Sequence, residues 1–308
     1  MKNKFTFLTL LLIFLSPIFA AQNSAKNSTQ NLSKNQSAIE QVSNQNKTPK
    51  TVVALSKSVA QMWLLAGGKL SGCTSDALEL PEINPNVLNV GTLTTTSLES
   101  IFSLKPDFVI LTKDIPIHKN LKTNLENLGV QVYVVDVKSF SDYEDVMKDF
   151  TSLTGRNDLY KKNVQDIKEN FLKFIEKAKL KDSEKKLTYI FFRVSATKNK
   201  ILKEHFANEI FQNLNLQNVI SDKNSLTELN AESLLTYNPD IIFVVSQGNE
   251  KKAKDIFSQV FEKNPIWSQL SAVKNKRVYI LPKELFNYKP NNNWDKAYEY
   301  IFNLIYAD

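Results

Sequence analysis

The chain has one cysteine, Cys73, two histidines, His118 and His205, and only three arginines among its 39 basic residues. A single cysteine excludes an intrachain disulfide, so a chain exported to an oxidising compartment must be held by its core alone. Roughly 260 ordered residues suffice for one or two such cores. Two histidines far apart in sequence do not supply an all-protein metal site. Enzymatic signatures are missing as well: there is no P-loop, no G-x-G-x-x-G, no H-E-x-x-H and no G-x-S-x-G. The formal net charge of +7 comes from dispersed lysines, with no basic stripe interleaved with aromatics, which sets nucleic-acid binding aside.

At the N-terminus, Lys2 and Lys4 precede the apolar run "FTFLTLLLIFLSPIFAA". A charged start, an apolar stretch and a small-residue end predict a signal peptide over 1–21, cleaved after Ala20 or Ala21. The run is short for a membrane anchor, which needs about 20 apolar residues. No cysteine lies near the cleavage region, which excludes a lipid-anchored mature terminus. Residues 22–49 are rich in Asn, Gln, Ser, Lys and Thr and cannot recover their ordering entropy, which predicts a disordered polar linker. Without Lys2 and Lys4 the balance is 37 basic against 32 acidic side chains, or +5.

From Thr51 onward, strand and helix patterns alternate. "TVVALS", "PDFVILT" and "VQVYVVDV" read as buried strands between helical segments, which predicts a first α/β lobe over 50–140 around a parallel sheet. Over 141–185 the strand signal disappears and apolar residues recur three and four apart, as in Val164, Ile167, Phe171, Phe174 and Ile175. That spacing predicts a helical bridge, its second helix some 30 Å long. The alternation resumes with "LTYIFFRV", "PDIIFVVS" and "RVYILP", a second lobe over 186–308. The fold class expected is α/β, two doubly wound lobes with central parallel sheets joined by one long helix. Ligands of such sheets sit beyond the carboxyl ends of the strands, here in a cleft between lobes.

One pattern occurs twice: "LESIFSLKPDFVILT" at 98–112 and "AESLLTYNPDIIFVV" at 231–245. In both, a Glu in the first turn of a short helix is followed seven residues later by Pro, then Asp, then a buried strand. Favourable interaction with the helix dipole accounts for the two glutamates without any further role.

These blocks, together with "VGTLTTTSLESIFSLKPDFVI" and "NPIWSQLSAVKNKRVYILP", resemble the periplasmic substrate-binding proteins of ABC importers for iron-siderophores, haem and vitamin B12. The resemblance covers Thr51 to Asp308. It implies two lobes bridged by a rigid helix, a monomer without enzymatic activity or intrinsic cofactor, residence in the periplasm and a permease dimer of the inner membrane as partner. It also implies that Glu99 and Glu232, one per lobe, dock onto arginines of the two permease subunits, with Glu228 as a nearby alternative in the second lobe. Two lobes related by an approximate two-fold suit a two-fold symmetric partner.

For the cargo, the strand-end loops offer Lys57, Thr94, Lys113 and Asp114 from the first lobe, and Arg193, Phe286, Tyr288 and Lys289 from the second. The ligand-binding set chosen from these is Arg193, Tyr288, Lys57, Lys289, Thr94 and Phe286. Arg193 leads because a planar guanidinium grips carboxylate or catecholate oxygens in two contacts; its competing reading is a surface ion pair. His118 is placed near a strand end, with a chance to face the cleft, and His205 in a second-lobe helix. Trp63 and Cys73 are expected in the core, and Trp294 at the start of the last helix. A metal, if carried, arrives inside a small-molecule chelate, with an iron chelate as the first reading and cobalamin or a nickel chelate as the alternative. An enzyme on the same scaffold is a further, weaker reading.

Overall fold

The computed structural model describes residues 48–181, 186–195, 199–220 and 231–307. The expected signal peptide, nearly all of the expected linker and Glu228 lie outside the described residues.

The first sheet has five strands: β1 (Val52–Ala54), β2 (Gly72–Cys73), β3 (Leu88–Asn89), β4 (Phe108–Thr112) and β5 (Gln131–Val135). Their order is β3-β2-β1-β4-β5, and every pair is parallel. The second sheet contains β6 (Thr188–Val194), β7 (Asn199–Ile201), β8 (Gln217–Asn218), β9 (Ile241–Ser246) and β10 (Val278–Leu281). It runs β10-β9-β6-β7, with β8 also on β6. β7 pairs antiparallel to residues 192–194 and β8 parallel to residues 188–189, so two short strands cover one edge of β6 in succession. The long, β-branched strands were legible as apolar runs; β2, β3, β7 and β8 are only two or three residues long and give no such run.

Helices cover both sheets because strands buried on both faces need apolar cover on each. In the first lobe these are α1 (Lys57–Leu65), α2 (Leu98–Phe102) and α3 (Pro116–Asn127). α1 buries Val59, Met62 and Trp63 on the face set by their three- and four-residue spacing. α3 begins at Pro116, whose missing N–H costs nothing at a helix start, and closes at Gly129 with φ +77°.

The bridge follows. α4 (Phe140–Thr154) opens with a capping box in which Ser139 and Asp142 satisfy each other's backbone donors, and closes at Gly155 in the left-handed region. α5 (Asn157–Tyr160) continues through a π turn (Lys161–Gln165) into α6 (Asp166–Leu180). At that turn Asn163 is buried; its Nδ2 donates to Leu65 O at 2.9 Å and its carbonyl accepts from the Tyr143 hydroxyl at 3.1 Å, tying the bridge to the first lobe. α6 packs against the last helix, where the Phe171 and Tyr298 rings stack with centroids 4.5 Å apart.

The second lobe carries α7 (Ala207–Asn213), α8 (Ala231–Tyr237), α9 (Glu250–Phe257), α10 (Ser271–Lys274), α11 (Lys283–Phe286) and α12 (Trp294–Tyr306). One apolar cluster runs from Val52 and Trp63 of the first lobe through Phe140 and Phe171 of the bridge to Phe211, Trp294 and Ile301 of the second. The lobes therefore share a core. Trp63, Cys73 and Trp294 are fully buried in it, as their positions in the sequence led us to expect.

Candidate functional site

In both sheets the strand order reverses at one point. For the first it lies between β1 and β4, since β2 and β3 extend one way from β1 and β5 extends the other from β4; for the second it lies between β6 and β9. Crevices open beyond the carboxyl ends of strands at such reversals. Lys57 starts α1 directly after β1, Asp114 follows β4, and Arg193 is the penultimate residue of β6.

Arg193 is partly buried, and among the described residues its guanidinium makes one long hydrogen bond, 3.5 Å, from Nη1 to Asn287 Oδ1. Burial pulls its basicity down, and the Asp114 carboxylate opposes that pull. The surface ion pair weighed against a binding role is not formed among the described residues. Two residues beyond Asn287, Lys289 reaches across to the first lobe, its Nζ 2.5 Å from Asp114 Oδ2. The Lys289 side chain is 13% exposed and that of Asp114 56%. Tyr288, between Asn287 and Lys289, is 36% exposed.

His205 joins this group. It stands ahead of α7 and not within a helix, because the chain turns at Phe206 before α7 begins at Ala207. Its ring packs on Phe191 and Phe206, with centroids 5.4 and 4.3 Å away. Its basicity is lowered to about 3, first by burial and then by Lys289 and Arg193, with Asp114 opposing. Nδ1 accepts from Ala207 N at 3.3 Å, so the neutral ring carries its proton on Nε2. Nothing in the sequence around His205 marks it: β7 folds back on β6 and delivers it, and that short strand has no apolar run to reveal it. Beside it, Glu204 Oε2 lies 3.3 Å from Lys138 Nζ, a second ion pair between the first lobe and the second.

The remaining expected residues make contacts of their own. Lys57 is partly buried, with Nζ 3.4 Å from Glu79 Oε2, while its backbone N donates to Asp76 Oδ2 at 2.9 Å. Thr94 is exposed in a tight turn after Gly91, where φ is +123° and an added Cβ would stand 2.9 Å from Thr95 O. Phe286 does not face the cleft. It is fully buried on α11, 6.2 Å from the Phe211 ring and 5.8 Å from Tyr300, because a one-turn helix after β10 rolls it into the core. His118 is likewise turned inward, 2% exposed, with Nδ1 3.1 Å from Thr112 N and Nε2 without a hydrogen-bond partner among the described residues. Burial lowers its basicity.

A separate cavity of about 340 Å³ opens beside β9 and β10, lined by Val194, Val244, Ser246, Phe257 and Pro282 among others. Val194 points to the face of β6 opposite Arg193, since side chains alternate along a strand.

The duplicated pattern resolves into two parts. Lys105 and Asn238 both adopt positive φ, 49° and 39°, and both precede a buried proline. Asp107 Oδ2 then accepts from Lys50 N and Thr51 N at 2.8 and 3.0 Å, and Asp240 Oδ2 from Thr188 N and Oγ1 at 2.9 and 2.8 Å. Each aspartate fastens the start of the neighbouring central strand, β1 or β6. The glutamates do neither. Glu99 and Glu232 are exposed in the first turns of α2 and α8. Helices antiparallel to their strands begin at the strands' carboxyl ends, so both stand on the cleft rim of their own lobe.

Among the described residues no helix is long and apolar enough to cross a membrane, and no group of three or more His, Cys, Asp or Glu is placed to hold a metal ion.

Each lobe carries a largely parallel sheet, and the Lys289–Asp114 pair joins the carboxyl end of a strand in the first lobe to a loop of the second, beside Arg193 and His205. Residues 52–285 match the family described as periplasmic binding protein, and the chain belongs to that family. It is a solute-binding protein and not an enzyme. The high-affinity heme uptake system protein IsdE of Staphylococcus aureus is 25% identical over 261 residues, covering 84% of this chain and 86% of that protein. An ABC transporter substrate-binding protein from Listeria monocytogenes superposes with a TM-score of 0.72 at 24% identity, over 85% of this chain and all of that one. S. aureus IsdE complexed with heme gives 0.72 at 22%, over 83% and 98%. The periplasmic vitamin B12 binding protein BtuF of Vibrio cholerae gives 0.68 at 19%, over 83% and 96%.

Proposed function

We propose that this chain captures an anionic iron chelate, a siderophore complex or haem, in its interlobe cleft and hands it to the permease of an ABC importer. The observation that carries the reading is Arg193, a partly buried guanidinium with no carboxylate partner among the described residues, beside Lys289 and the Nε2–H of His205. Donors of that kind, sheltered from water, favour carboxylate or catecholate oxygens. A relative named for haem uptake agrees with a cargo of this class. Lys57, Tyr288 and Thr94 complete the proposed contact set from the rim; Phe286 acts only as core.

Export by a signal peptide over 1–21 into the periplasm, with residues 22–49 as linker, fits this role. Glu99 and Glu232 are the proposed docking points for the two permease subunits, met by a monomeric carrier. The metal belongs to the cargo, so no intrinsic cofactor is required.

The test is a titration of the purified mature chain, followed by tryptophan fluorescence and visible absorbance, with haemin, a ferric tris-catecholate and cyanocobalamin. Saturable binding of haemin or the catecholate is expected, weakened at least about tenfold by Arg193→Ala, a loss of about 1.4 kcal/mol. Saturation by cyanocobalamin alone would move the cargo to a corrinoid. Failure to bind any of the three would sink the reading.

A further inference from the structure

The cation expected to face the ligand is already occupied. Asp114 Oδ2 sits 2.5 Å from Lys289 Nζ, and the pair joins a first-lobe strand end to a second-lobe loop 175 residues away. The same carboxylate favours the charged forms of Arg193, His205 and Lys138. One acid thus pairs with Lys289 and acts through space on three further basic groups drawn from both lobes. It is the more exposed partner, 56% against 13% for Lys289, so it can swing into water while the ammonium stays sheltered. Lys289 precedes Pro290, which restricts its backbone, and stands two residues after Asn287, which Arg193 contacts, so the chain carrying the cation is restrained on both sides.

We propose that Asp114 is an internal counter-ion: it takes the anion position beside Lys289, and an anionic ligand binds by displacing it from that ammonium. This rests on the reading of the cleft as an anion site and adds a selectivity element to it. A neutral solute cannot replace the lost charge pair, so Asp114 holds the cleft against uncharged cargo, while a chelate bearing carboxylates or catecholates restores the pairing. Release runs in reverse, since the returning carboxylate competes with the cargo for the same ammonium. No bond is made or broken.

Asp114→Asn keeps shape and removes the charge. Titrated with haemin and with a ferric tris-catecholate at low salt, it should bind the anionic chelate about tenfold more tightly than the parent chain, because no competing carboxylate remains. Lys289→Gln breaks the same ion pair but also removes the receptor, and should bind more weakly. Opposite signs for the two variants establish competition. Equal or weaker binding by Asp114→Asn overturns the inference, and weaker binding means that Asp114 itself supports the ligand. Tighter binding by both variants also overturns it, since the pair then acts only as a strap between lobes. If the parent chain binds neither anionic chelate, the functional reading and this inference fall together; if it binds and Asp114→Asn does not tighten, the inference alone falls. Near-ultraviolet circular dichroism of each variant confirms the fold before titration.

Discussion

Phe286 shows how much a single side chain's position depends on the turn that carries it. Its neighbour Tyr288 reaches solvent, whereas Phe286 lies at 0% exposure between Phe211 and Tyr300. Truncation there opens a cavity, and Phe286→Ala should cost about 3–5 kcal/mol in urea unfolding. Phe286→Leu should restore most of that and bind ligand normally, which a direct ligand contact would not allow. His205 makes a second prediction at this scale. Its folded-state basicity is lowered to about 3 against 6.5 for an exposed imidazole, so the folded protein keeps it neutral. Above pH 6.5 this has no effect on stability. As pH falls from 6.5 towards 3, the unfolded chain takes up a proton that the folded chain refuses, and stability drops by at most about 1.4 kcal/mol per pH unit. Asp149 and Glu209, whose carboxyls burial pushes upward, act in the opposite sense, so the parent is the reference at each pH. Urea midpoints at pH 7 and pH 5 should therefore differ less for His205→Gln than for the parent; an unchanged difference would mean that the imidazole protonates freely in the fold.

Among the elements, the repeated x-Pro-Asp units explain how two unlike lobes position their central strands by one device. A left-handed residue ends the helix, a buried proline turns the chain, and the aspartate binds the start of the adjacent strand. Asp240 is partly buried and ties both donors of Thr188, so Asp240→Ala leaves a sheltered backbone N–H without its acceptor and should destabilise by about 1–3 kcal/mol. Asp107 is exposed, water can replace it, and Asp107→Ala should cost less, about 1 kcal/mol or under. Thermal unfolding of both variants checks the order; an equal or reversed order would break the argument. The helix pattern, the prolines and the aspartates were all legible in the sequence, because each acts on residues close in the chain. The partners of the aspartates were not, since Asp240 and Thr188 are 52 residues apart and meet only when β9 pairs with β6.

For the molecule as a whole, a core shared from Val52 to Ile301 resists wide opening of the lobes, so recognition by a partner has to read the rim of the cleft more than a large closure. Glu99 and Glu232 stand on that rim, exposed and outside the strand-fastening network. With docking as their proposed role, Glu99→Ala combined with Glu232→Ala should leave ligand affinity and unfolding unchanged while cutting transport severalfold in cells or proteoliposomes carrying the cognate permease. Normal transport by the double variant would return both glutamates to favourable helix-dipole partners and nothing more.

The sequence by itself determined the α/β class, the two strand-helix alternations, the helical bridge and the periodic duplication, because these depend on local propensity and on apolar spacing along the chain. It also singled out Arg193, at the end of an apolar run, and Lys289, in the aromatic loop after the last strand. Only the tertiary structure decided that Phe286 turns inward, that His118 is buried, and that His205 and Asp114 come to the same basic group. Those outcomes depend on which way a short helix rolls and on contacts between segments as far apart as Asp114 and Lys289, where burial and charge act through space and leave no pattern in neighbouring residues.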